Sequence, residues 1–268
     1  MKSRNLAAAL CCLGGSLIAT ASMAQQIYSN GPFITNPGAH VPSGDVSLAQ
    51  DVTYPGYTAL GINAGPNFRL ADDFFVPLTH IWTVDSVTLY AYQFGSDGAA
   101  FTDARVNIWI GVPDGFGSFK VFDGEDTNQL VSTTPVAYRT AQSFAAPFSN
   151  SDRRVVALTL EIPPLELTPG QYWLDWQLKG PDAGTSVFTP PVSIIGQPYT
   201  AVDGFARKKC PTSVEDPNDS CATSPGAWQL FENGTSPYLV DMPFAVNGID
   251  LVNVIFADGF DTPDPPEP

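Results

Sequence analysis

The sequence predicts an all-β protein, an antiparallel β-sandwich of the jelly-roll-like kind. Three observations lead to this fold class. Several segments alternate apolar and polar residues with a period of two, as half-buried strands do. Gly and Pro together supply 48 of the 268 residues, which is far too many turn formers for a helical bundle. No window carries an apolar stripe of helical period, and no repeat of fixed length indicates a propeller or a solenoid.

The predicted strands follow one another from residue 68 onward, with Gly- and Pro-containing turns between them. The clearest is QYWLDWQLK (171–179), in which every second residue is large and apolar and would face a core. The others are predicted over 84–94, 105–112, 155–162, 227–231, 238–247 and 249–256. Short strands at this density, separated by turns, are typical of a sandwich rather than of an α/β fold.

The rest of the chain divides around this β-sandwich domain, which we place at 68–256. The preceding segment, 25–67, is interrupted every few residues by Asn, Gly and Pro pairs, so it is predicted to be loop-rich and to pack on the sandwich. The final segment, 257–268, contains four prolines and four acidic residues and is predicted to be a disordered stub.

The N-terminus has the features of an export signal. Two basic residues, Lys2 and Arg4, precede an apolar stretch over 6–18, and small residues then lead to a predicted cleavage site after Ala24. The apolar stretch is shorter than the roughly 20 residues that a transmembrane helix needs. We therefore predict a signal peptide at 1–24 and a secreted protein, extracellular or periplasmic, with no insertion in the membrane.

The predicted mature chain is strongly acidic. It retains 10 Lys and Arg residues against 27 Asp and Glu, a formal charge of −17. Nucleic acid is therefore not expected as a partner, because a phosphate backbone is bound mainly by clustered basic side chains. The hydrophobic fraction of 44% is still sufficient for a sizeable core.

The predicted mature chain contains two cysteines, Cys210 and Cys221, in the loop CPTSVEDPNDSC. In an oxidising compartment we expect these two residues to form a disulfide. A metal site at this place is not expected, because the loop offers neither further cysteine nor a nearby histidine.

Six blocks occur in the same order in a large group of exported bacterial proteins: ADDFFVP (71–77), WTVDSVTLYAYQFG (82–95), RVNIWIGVP (105–113), FDGEDTNQLVST (122–133), PGQYWLDWQLKG (169–180) and MPFAVNG (242–248). The chain resembles this secreted β-sandwich family over most of its predicted mature length. The ending VIFADGFD also resembles a short terminal motif of exported proteins from certain Gram-negative bacteria. These resemblances imply export and an all-β fold, and they assign no reaction or ligand to particular residues.

Catalytic motifs are mostly absent from the sequence. There is no G-x-S-x-G elbow and no H-E-x-x-H helix, and the only histidines are His40 and His80. A pair of carboxylates could still serve a glycosidase, and Asp72, Asp175 and Asp241 are the first to consider because each lies in or beside a strand. In a strand, Asp72 and its neighbour Asp73 would point to opposite faces.

The sequence requires no cofactor; a structural calcium ion is a candidate at two loops, for which solvated turns are the default interpretation. The loop DGEDTN places four oxygen-bearing side chains within six residues: Asp123, Glu125, Asp126 and Asn128. A second loop, 216–220, has alternating oxygen donors but lacks the glycine of an EF-hand loop.

Aromatic residues on the polar faces of strands suggest a ligand-binding surface. Trp109 and Trp173 lie opposite the aliphatic residues of their strands, and flat rings of this kind can stack on the apolar faces of sugars. The proposed platform comprises Trp109, Trp173, Asp175, Gln177, Asn107, Tyr90 and Tyr92. The alternative is that the N-terminal segment covers these rings, with Phe33 and Ile34 among the available residues.

We therefore expect a secreted, non-catalytic binding or accessory protein that recognises extracellular carbohydrate through surface aromatics. A secreted hydrolase with paired carboxylates and a structural or surface-matrix protein are the alternatives.

Overall fold

A computed structural model describes residues 25–50, 60–65, 67–95, 101–181, 186–196, 203–213, 221, 224–231 and 239–252. The predicted signal peptide, the stub at 257–268 and the second calcium loop at 216–220 lie outside these ranges. The described strands are β1 (Gln25–Ser29), β2 (Val46–Ala49), β3 (Ile62–Asn63), β4 (Arg69–Val76), β5 (His80–Gln93), β6 (Asp103–Ile110), β7 (Phe119–Asp123), β8 (Leu130–Ala141), β9 (Arg154–Leu167), β10 (Gly170–Lys179), β11 (Val187–Thr189), β12 (Arg207–Lys209), β13 (Trp228–Leu230) and β14 (Phe244–Val252).

The strands form two sheets, which confirms the predicted all-β sandwich. The order in the larger sheet is β1-β14-β5-β9-β8-β2, with β11 and β3 attached beside β5, and the order in the smaller sheet is β13-β12-β4-β10-β6-β7. All pairings are antiparallel except that of β2 with β8. The chain passes repeatedly from one sheet to the other, as in a jelly roll. Within the described ranges there is no α-helix, and a single 3-10 turn spans Pro147–Ser149.

The core lies between the two sheets and is built from the aliphatic faces that the alternation predicts. Leu174, Trp176 and Leu178 of β10 are fully buried against the larger sheet. The larger sheet contributes Leu158 and Leu160 of β9, also fully buried. This pattern leaves the odd-numbered residues of β10 on the outer face of the smaller sheet.

The segment at 25–67 contributes strands to the larger sheet, beyond the loop-rich packing that the sequence predicts. β1 pairs with β14 and places Gln25 opposite Gly248, and β2 pairs with β8 and places Val46 opposite Tyr138. Between them, Phe33 packs on Tyr90 with ring centroids 4.4 Å apart.

Two further features of the chain bear on the sequence predictions. Cys210 and Cys221 form the expected disulfide, with their Cα atoms 5.3 Å apart and both residues buried.

In the part of the chain that the structure describes, no helix has the length and hydrophobicity required to cross a membrane.

Candidate functional site

A group of three carboxylates lies where β4 meets the segments that precede β12 and β14, and we call it the carboxylate cluster: Asp72, Asp203 and Asp241. Each contributes an oxygen, and the three oxygens lie within 4.8 Å of one another. Asp72 belongs to β4, Asp203 precedes β12, and Asp241 precedes β14. Pairing of β12 with β4 brings the first two together, because Arg207 lies opposite Ala71.

Backbone and amide donors hold the two buried members of the cluster. Asp72 accepts hydrogen bonds from the backbone N–H of Met242 at 2.6 Å and from Nδ2 of Asn30 at 2.8 Å. Asp241 accepts from the N–H groups of three successive residues, 203–205, at 2.9–3.2 Å. Asp72 and Asp241 are 0% and 1% exposed, whereas Asp203 reaches solvent. The cluster is therefore well ordered and open on one side.

Burial and mutual repulsion of the carboxylates shift the pKa values at the cluster. Burial, and then the charge of Asp241, raise the pKa of Asp72 well above its ordinary value, although its backbone hydrogen bonds act in the opposite direction. Burial and the charges of Asp73 and Asp241 raise the pKa of Asp203 to about 6. Burial, followed by the charge of Asp72, also raises the pKa of Tyr28. A bound cation would lower the pKa of all three groups, because it favours their negatively charged forms.

Asp73 adds a fourth carboxylate on β4, next to the cluster in sequence. As the alternation of β4 requires, it faces the opposite way from Asp72 and accepts from Nε2 of Gln171 at 2.6 Å. Its other oxygen, Oδ1, is buried and has no hydrogen-bond partner among the described residues. Its charge nevertheless acts on Asp203, so the two lie within electrostatic reach of one another.

The predicted calcium loop already contains an internal cation. Nζ of Lys120 lies 3.0 Å from Oδ1 of Asp123 and 2.5 Å from Oε2 of Glu125, and these contacts lower the pKa of both carboxyls. Oδ1 of Asn128 accepts from the backbone N–H groups of Ala104 and Leu130. Of the four predicted ligands, only Asp126 is left exposed without such a contact. Calcium at this loop therefore stays a prediction, and the geometry favours the carboxylate cluster.

The two predicted platform tryptophans lie side by side but are not on the surface. Trp109 of β6 pairs in register with Trp173 of β10 on the outer face of the smaller sheet. They are only 8% and 2% exposed, so this part of the expected platform is wrong. The described cover consists of Trp228, which packs on them, with Lys120 over the ring of Trp109 and Arg207 over that of Trp173.

The polar residues predicted to accompany these rings form a buried network. Asp175 is fully buried and accepts from Nε of Arg69 at 2.5 Å, from Nδ2 of Asn107 at 3.0 Å and from Nε1 of Trp109 at 2.5 Å. Gln177 lies further along β10 and donates to the backbone oxygen of Phe68. Since the carboxylate oxygens already have partners, the described contacts give Asp175 a structural role.

The predicted tyrosines belong to a different surface. Tyr90 and Tyr92 lie on β5 in the larger sheet, so they cannot join a platform built on β6 and β10. Tyr90 packs on Phe33 as the covering alternative predicts, and Tyr92 stacks on Phe188 at 5.6 Å. Burial raises the pKa of Tyr92 to about 12.

Sequence reasoning named Asp72 and Asp241 as residues of interest but did not find Asp203. The two predicted members are about 170 residues apart in the chain, and no local spacing links them. The only available signal at Asp203 is the Asp-Gly pair, which is common in ordinary turns.

Comparison of the sequence with family models and with curated proteins identifies no relative. The functional argument therefore rests on the geometry.

Proposed function

We propose that this protein is an exported, non-catalytic binding or accessory protein whose β-sandwich holds one calcium ion in the carboxylate cluster. The observation that carries this proposal is the convergence of Asp72, Asp203 and Asp241, whose oxygens lie within 4.8 Å of one another although they come from three separate segments. A single cation can contact all three at that spacing.

The chemistry of the donors favours calcium over a transition metal. All the cluster's ligating atoms are carboxylate oxygens, and hard cations prefer such ligands, whereas zinc sites are rich in His and Cys. Calcium also accepts irregular geometry and varied coordination numbers, while magnesium requires a near-ideal octahedron. The exposed side of Asp203 leaves room for water to complete the coordination sphere.

The cluster joins segments that are distant in sequence. Asn30, at the end of β1, donates to Asp72 and to the backbone oxygen of Met242, so it connects β4 with the segment that leads into β14. Asp241 holds the loop before β12. A cation at this point would connect these segments and stabilise their packing.

The contacts do not favour the alternative of a hydrolase built on these carboxylates. A glycosidase needs one carboxyl to donate a proton and another to attack or activate water. Here Asp72 and Asp241 are buried and already accept hydrogen bonds from several backbone and amide donors. These bonds suit carboxylates that organise loops and bind a cation.

Calcium titration of the mature protein tests the proposal. We expect 5 mM CaCl2, compared with EGTA, to raise the thermal midpoint by about 2–5 °C, since binding to the folded state alone adds RT ln(1 + [L]/Kd). Asp203→Asn should remove most of this response, because the substitution takes a charged ligand from the open side of the cluster.

Asp126→Asn is the matched control, since Asp126 is exposed in the loop that the sequence predicts for calcium. It should keep the full response. An unchanged midpoint in the wild-type protein would refute the calcium proposal. A response that Asp126→Asn abolishes and Asp203→Asn retains would move the ion to the loop at 123–128.

A further inference from the structure

A cleft of about 360 Å³ lies at the side of the sandwich, away from the carboxylate cluster. It is bounded by the end of β7, the turn that follows β7, and strands β8 and β9. β7 is the last described strand of the smaller sheet, so no further described strand lies beside it at this side of the core. The volume falls within the range of small-molecule sites.

The lining of the cleft combines apolar and polar groups. Phe122, Val131 and Pro163 provide the apolar part, and Val131 is 51% exposed. Asp123, Thr127 and Glu161 provide oxygen acceptors and a hydroxyl. Sugars present an apolar C–H face together with a ring of hydroxyls. The apolar lining matches the C–H face, and the polar lining matches the hydroxyls.

The turn at the cleft is held rigidly. Buried Gln129 donates from Nε2 to the backbone oxygen of Gly124 at 3.0 Å, and its Oε1 accepts from the N–H of Val106 at 3.1 Å. The N–H of Gly124 donates to Oδ1 of Asn107 at 3.0 Å. A Cβ on Gly124 would collide with Gln129 and with the Val106 backbone, so only glycine fits. A preorganised site of this kind loses little entropy on binding.

The charges on the rim select against an anionic ligand. Asp123 is paired with Lys120 at 3.0 Å, whereas Glu161 is exposed and has no ion-pair partner among the described residues. The cleft therefore has a net negative rim in a protein that is already strongly acidic. A carboxylated sugar would be repelled, while a neutral sugar could donate its hydroxyls to these carboxylates.

We propose that this cleft binds a neutral hexose unit of an extracellular glycan. The apolar face of the ring lies on Phe122 and Pro163, and the hydroxyls donate to Glu161 and Asp123. The site is independent of the proposed calcium ion, because none of its lining residues belongs to the carboxylate cluster.

Saturation-transfer NMR of the mature protein tests this site with D-glucose, D-galactose, D-mannose and D-glucuronate, in EGTA so that calcium plays no part. We expect transfer to the ring C–H protons of at least one of the three neutral hexoses and not to glucuronate. Glu161→Gln should weaken that binding about tenfold, since a hydrogen bond to a charged group is lost.

Two matched controls come from the same strands. Glu166→Gln changes another exposed glutamate of β9 and should bind like the wild type. Phe122→Leu keeps an apolar side chain but removes the ring, and it should weaken binding, whereas Phe119→Leu on the same strand should not. Circular dichroism confirms that each variant is folded.

The absence of transfer to all three hexoses would overturn the proposal, as would equal binding by the Glu161→Gln and Glu166→Gln variants. Equal transfer to glucuronate would overturn the assignment of a neutral ligand. Failure of the calcium titration leaves these results unaffected, so the two proposals fail separately.

Discussion

Trp109 donates its indole N–H to the carboxylate of Asp175 over 2.5 Å, and both residues are buried. The same carboxylate forms an ion pair with Arg69. The outer face of the smaller sheet is thus a second packed layer with a charged centre, and Asp175 joins β4, β6 and β10 through side chains as well as through the backbone ladder.

Neutralising Asp175 should destabilise the protein strongly. Asp175→Asn removes the carboxylate that pairs directly with the buried guanidinium of Arg69, and removing one partner of a buried pair costs about 3–5 kcal/mol. Urea unfolding monitored by tryptophan fluorescence measures the free energy of unfolding. Asp152→Asn, at an exposed aspartate, is the control and should change it by less than about 0.5 kcal/mol. Equal effects of the two substitutions would contradict the role assigned to Asp175.

Gly248 should not tolerate a side chain. It lies at the irregularity where β14 shifts register against β5, and a Cβ there would collide with the backbone oxygen of Thr83. Gly248→Ala should therefore lower the free energy of unfolding by about 1–3 kcal/mol, as overpacking does. The neighbouring Ile249 is 54% exposed, so Ile249→Ala should be nearly neutral. The calorimetric midpoints of the two variants can be compared. If that of Gly248→Ala were at or above that of Ile249→Ala, the backbone at this register shift would be able to relax around the added Cβ.

Without calcium, the contribution of Asp203 to stability should rise as the pH falls. The pKa of Asp203 is about 6 in the folded protein against an ordinary 3.8, so the folded state binds this proton more tightly than the unfolded chain does. The stabilisation is complete below about pH 4 and is lost as the pH rises through about 6. Thermal midpoints in EDTA between pH 4 and pH 7 measure it.

Asp203→Asn should flatten that dependence, although the raised pKa of Asp72 leaves part of it in place. If the thermal midpoints of the wild type and the variant changed with pH at the same slope, the charge of Asp203 would be compensated in solution.

Loss of the disulfide should lower the free energy of unfolding moderately. Cys210 and Cys221 are 11 residues apart, and closing a loop this short contributes about 3 kcal/mol. The double substitution Cys210→Ser and Cys221→Ser should lower the free energy of unfolding by about that amount. A thiol titration of the denatured, unreduced protein without residues 1–24 should find no free thiol. Two free thiols would show that the bond does not form.

The alternation of apolar and polar residues located the principal strands but could not determine what lies on their outer faces. It correctly predicted that Trp109 and Trp173 face away from the core. Lys120 covers Trp109 from the neighbouring strand β7, but Trp228 and Arg207 are brought over the sheet only by the pairing of strands distant in sequence. Whether an outer face is solvated therefore depends on the topology, and periodicity alone does not encode it.

Two strands, β8 and β4, contain residues that usually oppose strand formation. β8 contains Pro135, which is tolerated because β2 pairs with β8 only from Tyr138 onward and leaves the earlier part of that edge free. β4 contains Asp72 and Asp73, whose burial is supported by donors such as Asn30 and Gln171. The sequence named Asp72 and Asp241 but could not show that they form a cluster with Asp203, since the three meet only after the strands have paired.

The pairing of β1 with β14 has a consequence for the kinetics of folding. Gln25 finds its partner Gly248 more than 200 residues later in the chain, and β5 cannot complete its own ladder until β14 arrives. Contacts of such long range slow folding, because the entropy of loop closure is lost before they form. We expect the larger sheet to assemble only after synthesis of its final strand, which leaves the polypeptide unfolded, and so suitable for translocation, for most of its emergence from the ribosome.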